Sequence, residues 1–295
     1  MPAPTPSQPE TVKLTVDGLT YGGLAFGLSD APPLLALHGW QDNANSFRQL
    51  AQALPDFRLV ALDLSGHGLS DHRSADATYQ IWDDLPQLVG ILDALGWDRC
   101  TLLGHSRGAI ISTLLAAALP ERVSALITLD SMLPAPTRDD DFVTTLRAFL
   151  KDRAKLLHRP PRHFASEKAF VERRSLRGEP PLVSAALAER ALHPCEEGLA
   201  YRNDPRHNGA SAVKLNEQQC NAVLRCLSMP VLNIWATPRH GMEQAAARQR
   251  SAIARHVANF TTVDIPGHHH WHMEEAPAKE IALAIREFLR HATTD

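Results

Sequence analysis

Cysteine is scarce. The four thiols, at positions 100, 195, 220 and 226, form no CxxC pair. That spacing excludes a disulfide framework and a cysteine-built zinc site, and the residues read as reduced, partly buried thiols. Long apolar runs are missing as well: no segment reaches the ~18 residues a membrane span needs. Neither sign of charge dominates, with a net charge of −3. A general electrostatic grip on nucleic acid, which needs a strongly basic face, is therefore excluded. The first nine residues carry no apolar h-region and no early basic cluster, so no signal peptide is expected. Four prolines fall within residues 1–10, which are expected to form a disordered tail. A soluble, cytoplasmic protein is the simplest expectation.

Enough remains for a sizeable core. The chain has 295 residues, 44% of them apolar, which suits one large α/β domain or two modest ones. Alternation from Val12 to Phe26, broken at Gly22-Gly23, suggests two short antiparallel strands. Leu34–Leu37, Leu59–Leu62, Thr101–Leu103 and Val123–Leu129 are short apolar runs of the kind that form buried parallel strands. Between them the spacing predicts helices over Asn43–Leu54, Tyr79–Leu95 and Ala109–Leu119. This rhythm means βαβ units and a mostly parallel sheet. It stops near Pro134 and resumes near Met229, with strands at Val231–Trp235 and Phe260–Ile265 and helices at Met242–His256 and Ala276–Leu289. The intervening residues contain no convincing buried strand and look helical. The expected division is thus a tail (1–10), an α/β core (11–133 and 229–295) and a helical cap (134–228).

The strongest chemical signal is Gly104-His105-Ser106-Arg107-Gly108. It follows a predicted strand and opens an apolar helix, the setting a nucleophile elbow requires. The glycines permit a sharp, strained turn that lifts Ser106 above the carboxyl end of the sheet. The new helix places a favourable field for negative charge beside it. A serine hydroxyl is a weak nucleophile and needs a base. The segment Pro266-Gly267-His268-His269-His270-Trp271-His272-Met273-Glu274 follows the last predicted strand and offers four histidines. A metal-binding histidine tract is the bland alternative. No cysteine or carboxylate stands at ligand spacing there apart from the helix-starting Glu274 and Glu275, so no metal is expected.

Here the chain resembles the α/β-hydrolase superfamily, over roughly residues 12–133 and 229–290. The resemblance implies a mostly parallel eight-stranded sheet flanked by helices, with a helical cap inserted between the sixth and seventh strands. In that family the catalytic histidine follows a glycine after the last strand and precedes a glutamate by five positions. Counting back from Glu274 selects His269, with His270 as the alternative register. The family's acid commonly follows the seventh core strand in a phrase like W-G-x-x-D. This chain instead reads Trp235-Ala236-Thr237-Pro238-Arg239-His240, with no acid before Glu243. Some members place the acid after the preceding core strand, where Asp130 stands. Asp130 is therefore the expected orienting carboxylate, Glu243 the alternative, and the order Ser…Asp…His fits. Oxyanion donors are expected from the backbone amides of Arg107, in the elbow, and Trp40, which follows His38-Gly39. Asp63-Leu64-Ser65-Gly66-His67-Gly68-Leu69-Ser70 resembles the family's D-x-x-G-x-G-x-S turn, with glycines that supply positive φ. The phrase from His38 to Phe47 looks like the serine hydrolase-like branch.

These residues imply a serine hydrolase that cleaves a small-molecule carboxylic ester or thioester through an acyl-enzyme, without a cofactor. A serine at the elbow argues against epoxide hydrolases and haloalkane dehalogenases, families that use aspartate there. Two alternatives remain open: a cofactor-independent dioxygenase that uses a His–Asp pair, and a non-catalytic binding protein on the same fold. Specificity should lie in the insertion. Residues 147–177 carry ten Lys/Arg against three Asp/Glu, which reads either as a solvated face or as a basic rim for an anionic substrate. Phe142, Phe149, Phe164 and Phe170 are candidates to line an acyl pocket.

Overall fold

The computed structural model describes residues 8–238 and 243–292. The chain enters through β1 (Glu10–Val16) and β2 (Leu19–Phe26), an antiparallel pair. Their turn is Asp17-Gly18, both with positive φ, a short turn that matches strand twist. The Gly22-Gly23 pair, expected to break the hairpin, lies inside β2. There a Cβ on Gly23 would sit 2.6 Å from the Ala61 carbonyl oxygen of the next strand. Close backbone approach, not a turn, accounts for that glycine. Of the tail expected over 1–10, residues 1–7 lie outside the described residues, and Glu10 already belongs to β1.

β3 (Pro33–Leu37) leads through a short 3-10 turn into α1 (Arg48–Gln52), then β4 (Arg58–Leu62). α2 covers Leu85–Ala94, starting six residues later than the pattern suggested. The Asp83 carboxylate accepts bonds from the Gln80 amide and the Thr78 hydroxyl, both at 2.6 Å. This fixes a turn before Pro86 opens the helix. β5 (Cys100–His105), α3 (Arg107–Ala118) and β6 (Val123–Leu129) follow.

The insertion holds α4 (Phe142–Leu156), β7 (His163–Phe164), α5 (Glu167–Ser175), α6 (Pro181–Ala191), β8 (Leu192–Cys195), β9 (Gly198–Tyr201) and α7 (Glu217–Arg225). Its three strands make a small antiparallel sheet in the order β7-β9-β8. They were invisible in the sequence, since two to four residues are too few to show alternation. α7 buries Cys220 and Leu224 in the main core, although the sequence pattern grouped it with the cap. The chain closes with β10 (Val231–Thr237), α8 (Glu243–His256), β11 (Phe260–Pro266) and α9 (Glu275–Ala292). The helix expected from Met242 loses its first residue to the undescribed segment 239–242.

The main sheet has eight strands in the order β1-β2-β4-β3-β5-β6-β10-β11. It is parallel from β4 to β11. One face carries α2, α3, α7 and α8, with Leu88, Ile91, Ile111, Leu115, Leu224 and Ile253 in a shared core. The other carries α1 and α9. α9 buries Ala278, Ile281, Ala282, Ile285 and Phe288, a helical-period stripe whose larger members are each worth roughly 1.5–3 kcal/mol of burial. No described helix is long and apolar enough to cross a membrane.

Candidate active site

Register brings the chemistry to one edge. β5 pairs with β6 so that His105 faces Leu129, and Leu129 faces Ile234 of β10. The residues just past these strand ends, Ser106 and Asp130, therefore emerge side by side at the carboxyl edge, where open α/β sheets build their sites. The Ser106 amide donates to Leu129 O at 3.1 Å, and the Asp130 amide to Ile234 O at 2.8 Å.

Ser106 has φ 51° and ψ −116°, a conformation that costs a non-glycine residue of order 1–3 kcal/mol. The flanking glycines make it possible. A Cβ on Gly108 would lie 1.9 Å from Leu37 O, and one on Gly104 would lie 2.4 Å from the Ala109 Cα. Asp130 also has positive φ, 54°. Its Oδ1 accepts the Ala236 amide at 3.0 Å, which leaves Oδ2 to meet His269 Nδ1 at 2.6 Å. The other ring nitrogen, His269 Nε2, lies 2.9 Å from Ser106 Oγ. Serine, imidazole and carboxylate thus stand in one line of contacts. The His269 side chain is 45% exposed and Asp130 is buried, so the line opens to solvent at the serine end. Glu243 stands at the exposed start of α8.

The four crowded histidines separate by their partners. His268 Nε2 meets Glu274 Oε1 at 2.6 Å near the surface. His272 is fully buried against Phe47, with Nε2 3.3 Å from Ser46 Oγ. His270 points the other way from His269, with Nε2 3.2 Å from Asp42 and Nδ1 2.9 Å from Glu179. Burial alone would lower its pKa, but the two carboxylates outweigh it and raise it to about 10. Asp42, despite burial, is held well below the usual carboxylate range by the charges of His270 and Arg174. Arg174 Nη2 reaches Asp42 at 3.3 Å.

This cluster was missed in the sequence, because its members come from positions 42, 105, 174, 179 and 270 and no local pattern joins them. It contacts the candidate base directly: His105 Nε2 donates to the His269 carbonyl at 2.9 Å. Burial pushes the His105 pKa down to about 4, which keeps the ring neutral. Donor atoms of Asp42, His105 and His270 all lie within 4.8 Å of one another, a spacing a metal could use. Their chemistry argues otherwise. The His270 proton and the Arg174 guanidinium already balance Asp42 and Glu179, and a divalent ion would have to displace that proton and sit beside Arg174.

The expected oxyanion residues follow the ends of β3 and β5, which pair side by side in the sheet. Arg107 begins α3, in the first turn, where amides lack an intrahelical partner. Trp40 follows the end of β3, and its indole Nε1 donates to His207 O at 2.9 Å. Both side chains line a cavity of about 330 Å³ that runs under the insertion. Phe149 lines it too. Phe142 lies elsewhere, while Phe164 packs edge-on, and Phe170 at a tilt, against Tyr201 inside the insertion. In the turn after β4, Gly66 and Gly68 have positive φ, 71° and 51°. Asp63 there accepts the Ala44 and Leu69 amides, each at 2.7 Å, and Arg190 Nη2 of α6 at 2.6 Å. It binds two site loops to the insertion.

With this geometry in place, comparison with known proteins gives the family. The family model of the alpha/beta hydrolase fold matches residues 32–276, and the chain belongs to that family and resembles its serine hydrolase-like branch. It is 28% identical over 288 residues to a serine hydrolase-like protein of Dictyostelium discoideum, covering 92% of this chain and 79% of the other. It is 29% identical over 296 residues to human serine hydrolase-like protein 2, with coverage of 95% and 93%. The crystal structure of a hypothetical protein from Pseudomonas aeruginosa superimposes with a TM-score of 0.88 at 35% identity, over 95% of this chain and 99% of that one.

Proposed function

We propose that this protein is a serine hydrolase that cleaves a carboxylic ester or thioester through Ser106, His269 and Asp130. The reading rests above all on His269, whose two ring nitrogens lie 2.9 Å from Ser106 Oγ and 2.6 Å from Asp130 Oδ2. Ser106 Oγ attacks the substrate carbonyl while its proton passes to His269 Nε2. Asp130 keeps Nδ1 protonated and balances the imidazolium. The Arg107 and Trp40 amides receive the oxyanion, a contribution of several kcal/mol in a dry site. The tetrahedral species collapses to an acyl-serine. The alcohol or thiol leaves with the proton from His269. Water, deprotonated by the same imidazole, then releases the acid. The part of the insertion that precedes α7 acts as a cap that shapes the acyl site.

The test is labelling with a fluorophosphonate. The reagent should add to Ser106 in the wild-type chain, located by mass spectrometry of the modified peptide, and should fail to label H269A. Absence of a Ser106 adduct would reject the reading. Oxygen uptake with a hydroxyquinolone in place of ester cleavage would favour a dioxygenase.

A further inference from the structure

The cavity that meets the site through Trp40 and Arg107, without Ser106 among its lining residues, has an unusual wall. Three guanidinium groups, those of Arg107, Arg153 and Arg206, line it, and no Asp or Glu is among the described lining residues. Arg107 sends Nη2 to two backbone carbonyls, Tyr79 O at 2.7 Å and Gln80 O at 3.1 Å. Arg153 likewise binds only carbonyls in the contacts it makes, those of Ala75, Asp76 and Ala77. Carbonyls orient a guanidinium without neutralising it. Arg206 is paired, at 2.7 Å, with the buried carboxylate of Asp204. Two positive charges on the wall, Arg107 at the start of α3 and Arg153 in the last turn of α4, are therefore uncompensated by direct ion pairs among the described residues. Trp40, Phe149 and Leu156 supply apolar surface between them. Burial also pushes the Arg107 pKa down, so an anion bound there would relieve a desolvated cation.

We infer that this cavity receives an acyl group ending in a carboxylate, making half-esters or half-thioesters of dicarboxylic acids the preferred substrate class. This rests on the serine-hydrolase reading above. The scissile carbonyl sits at Ser106, and the chain runs past Arg107 toward Arg153. A volume near 330 Å³ is at the small end for ligand pockets and suits a short chain.

Binding separates this inference from turnover. Titration calorimetry on the full chain would compare glutarate, its neutral isostere glutaramide, and inorganic phosphate. Glutarate should bind at least about tenfold more tightly than glutaramide, with an affinity that falls as salt rises. R153M should weaken glutarate about tenfold, and R153K, which keeps the charge and tests for mere loss of folding, should weaken it less. Equal affinity for glutarate and glutaramide, no binding of either, or tighter binding of phosphate would each overturn the carboxylate assignment. Kinetically, p-nitrophenyl hemiglutarate should exceed p-nitrophenyl butyrate in kcat/KM, and R153M should narrow that ratio. Butyrate cleaved as well as hemiglutarate would sink the inference and leave the hydrolase standing. Selective glutarate binding with neither ester cleaved would overturn the hydrolase reading, and the substrate class with it, and leave only a carboxylate-binding cavity.

Discussion

Asp130 Oδ2 lies 2.6 Å from His269 Nδ1 across 139 residues of chain. The contact exists because β6 and β11 lie on either side of β10 in one sheet, so their carboxyl ends converge. It supplies what the segment after Trp235 lacks. D130N should keep the fold, because an asparagine oxygen can still accept the Ala236 amide. It should lose about 10⁴ in kcat, since the amide favours the wrong tautomer and cannot balance the imidazolium. E243Q should stay within about twofold of wild type, the usual range for an exposed change. Steady-state kinetics on both variants decide it: a silent D130N with an inactive E243Q would reverse the roles.

The histidine loop makes a graded set. H269A should be inactive and fold normally. H268A, which removes a half-exposed contact with Glu274, should retain most of its activity. H272A empties a fully buried site and should cost about 1–3 kcal/mol of stability while folded protein still turns over. Ester kinetics with parallel urea titrations separate loss of chemistry from loss of fold.

Much of this was readable because the parallel strands are short apolar runs with glycine or a polar residue at their ends, as at Leu37-His38-Gly39 and Leu129-Asp130. Ser106 announced itself by local context. His269 and Asp130 needed the family resemblance to choose among neighbours, since four histidines in one loop look alike until each finds its partner. The cluster of Asp42, Arg174, Glu179 and His270 was illegible because it is held by charge across 228 positions, with no periodic trace. Asp17-Gly18 was overlooked in favour of Gly22-Gly23, although an Asp-Gly pair between alternating runs is the stronger turn signal.

Stability should depend on pH from both sides. Burial depresses the pKa values of His38, His67, His105, His207 and His272. The unfolded chain therefore binds protons that the folded one refuses, and stability falls as pH drops below about 6.5. Asp42 and Glu179 are held below their ordinary values. Their contribution is present above roughly pH 4–5 and lost as pH falls further. His270 has the opposite sign: raised to about 10, its contribution is complete below its unfolded value and disappears as pH rises through 10. Urea midpoints should peak near pH 7 and decline toward pH 10, and H270Q should flatten the alkaline decline. A midpoint unchanged from pH 7.5 to pH 5 would contradict the burial of neutral histidines.

The Arg190–Asp63 pair, 2.6 Å apart and almost wholly buried, ties the insertion to the core. R190M should cost about 3–5 kcal/mol, because it strands a buried carboxylate. The Ala44 and Leu69 amides that remain on Asp63 place the expectation at the lower end. Chemical denaturation of R190M against wild type measures it, and an unchanged midpoint would show that the pair adds nothing.

The central claim is that Ser106 carries an acyl group during turnover. Pre-steady-state hydrolysis of p-nitrophenyl acetate tests it most directly, with S106A as the control. Wild type should release a burst of p-nitrophenol approaching one equivalent per active site, and acylated enzyme should carry the acetyl group on Ser106. S106A, folded as judged by its melting curve, should show neither burst nor steady state beyond a residue several orders of magnitude lower. An S106A variant that turns over like wild type, in a preparation free of other esterases, would contradict the account.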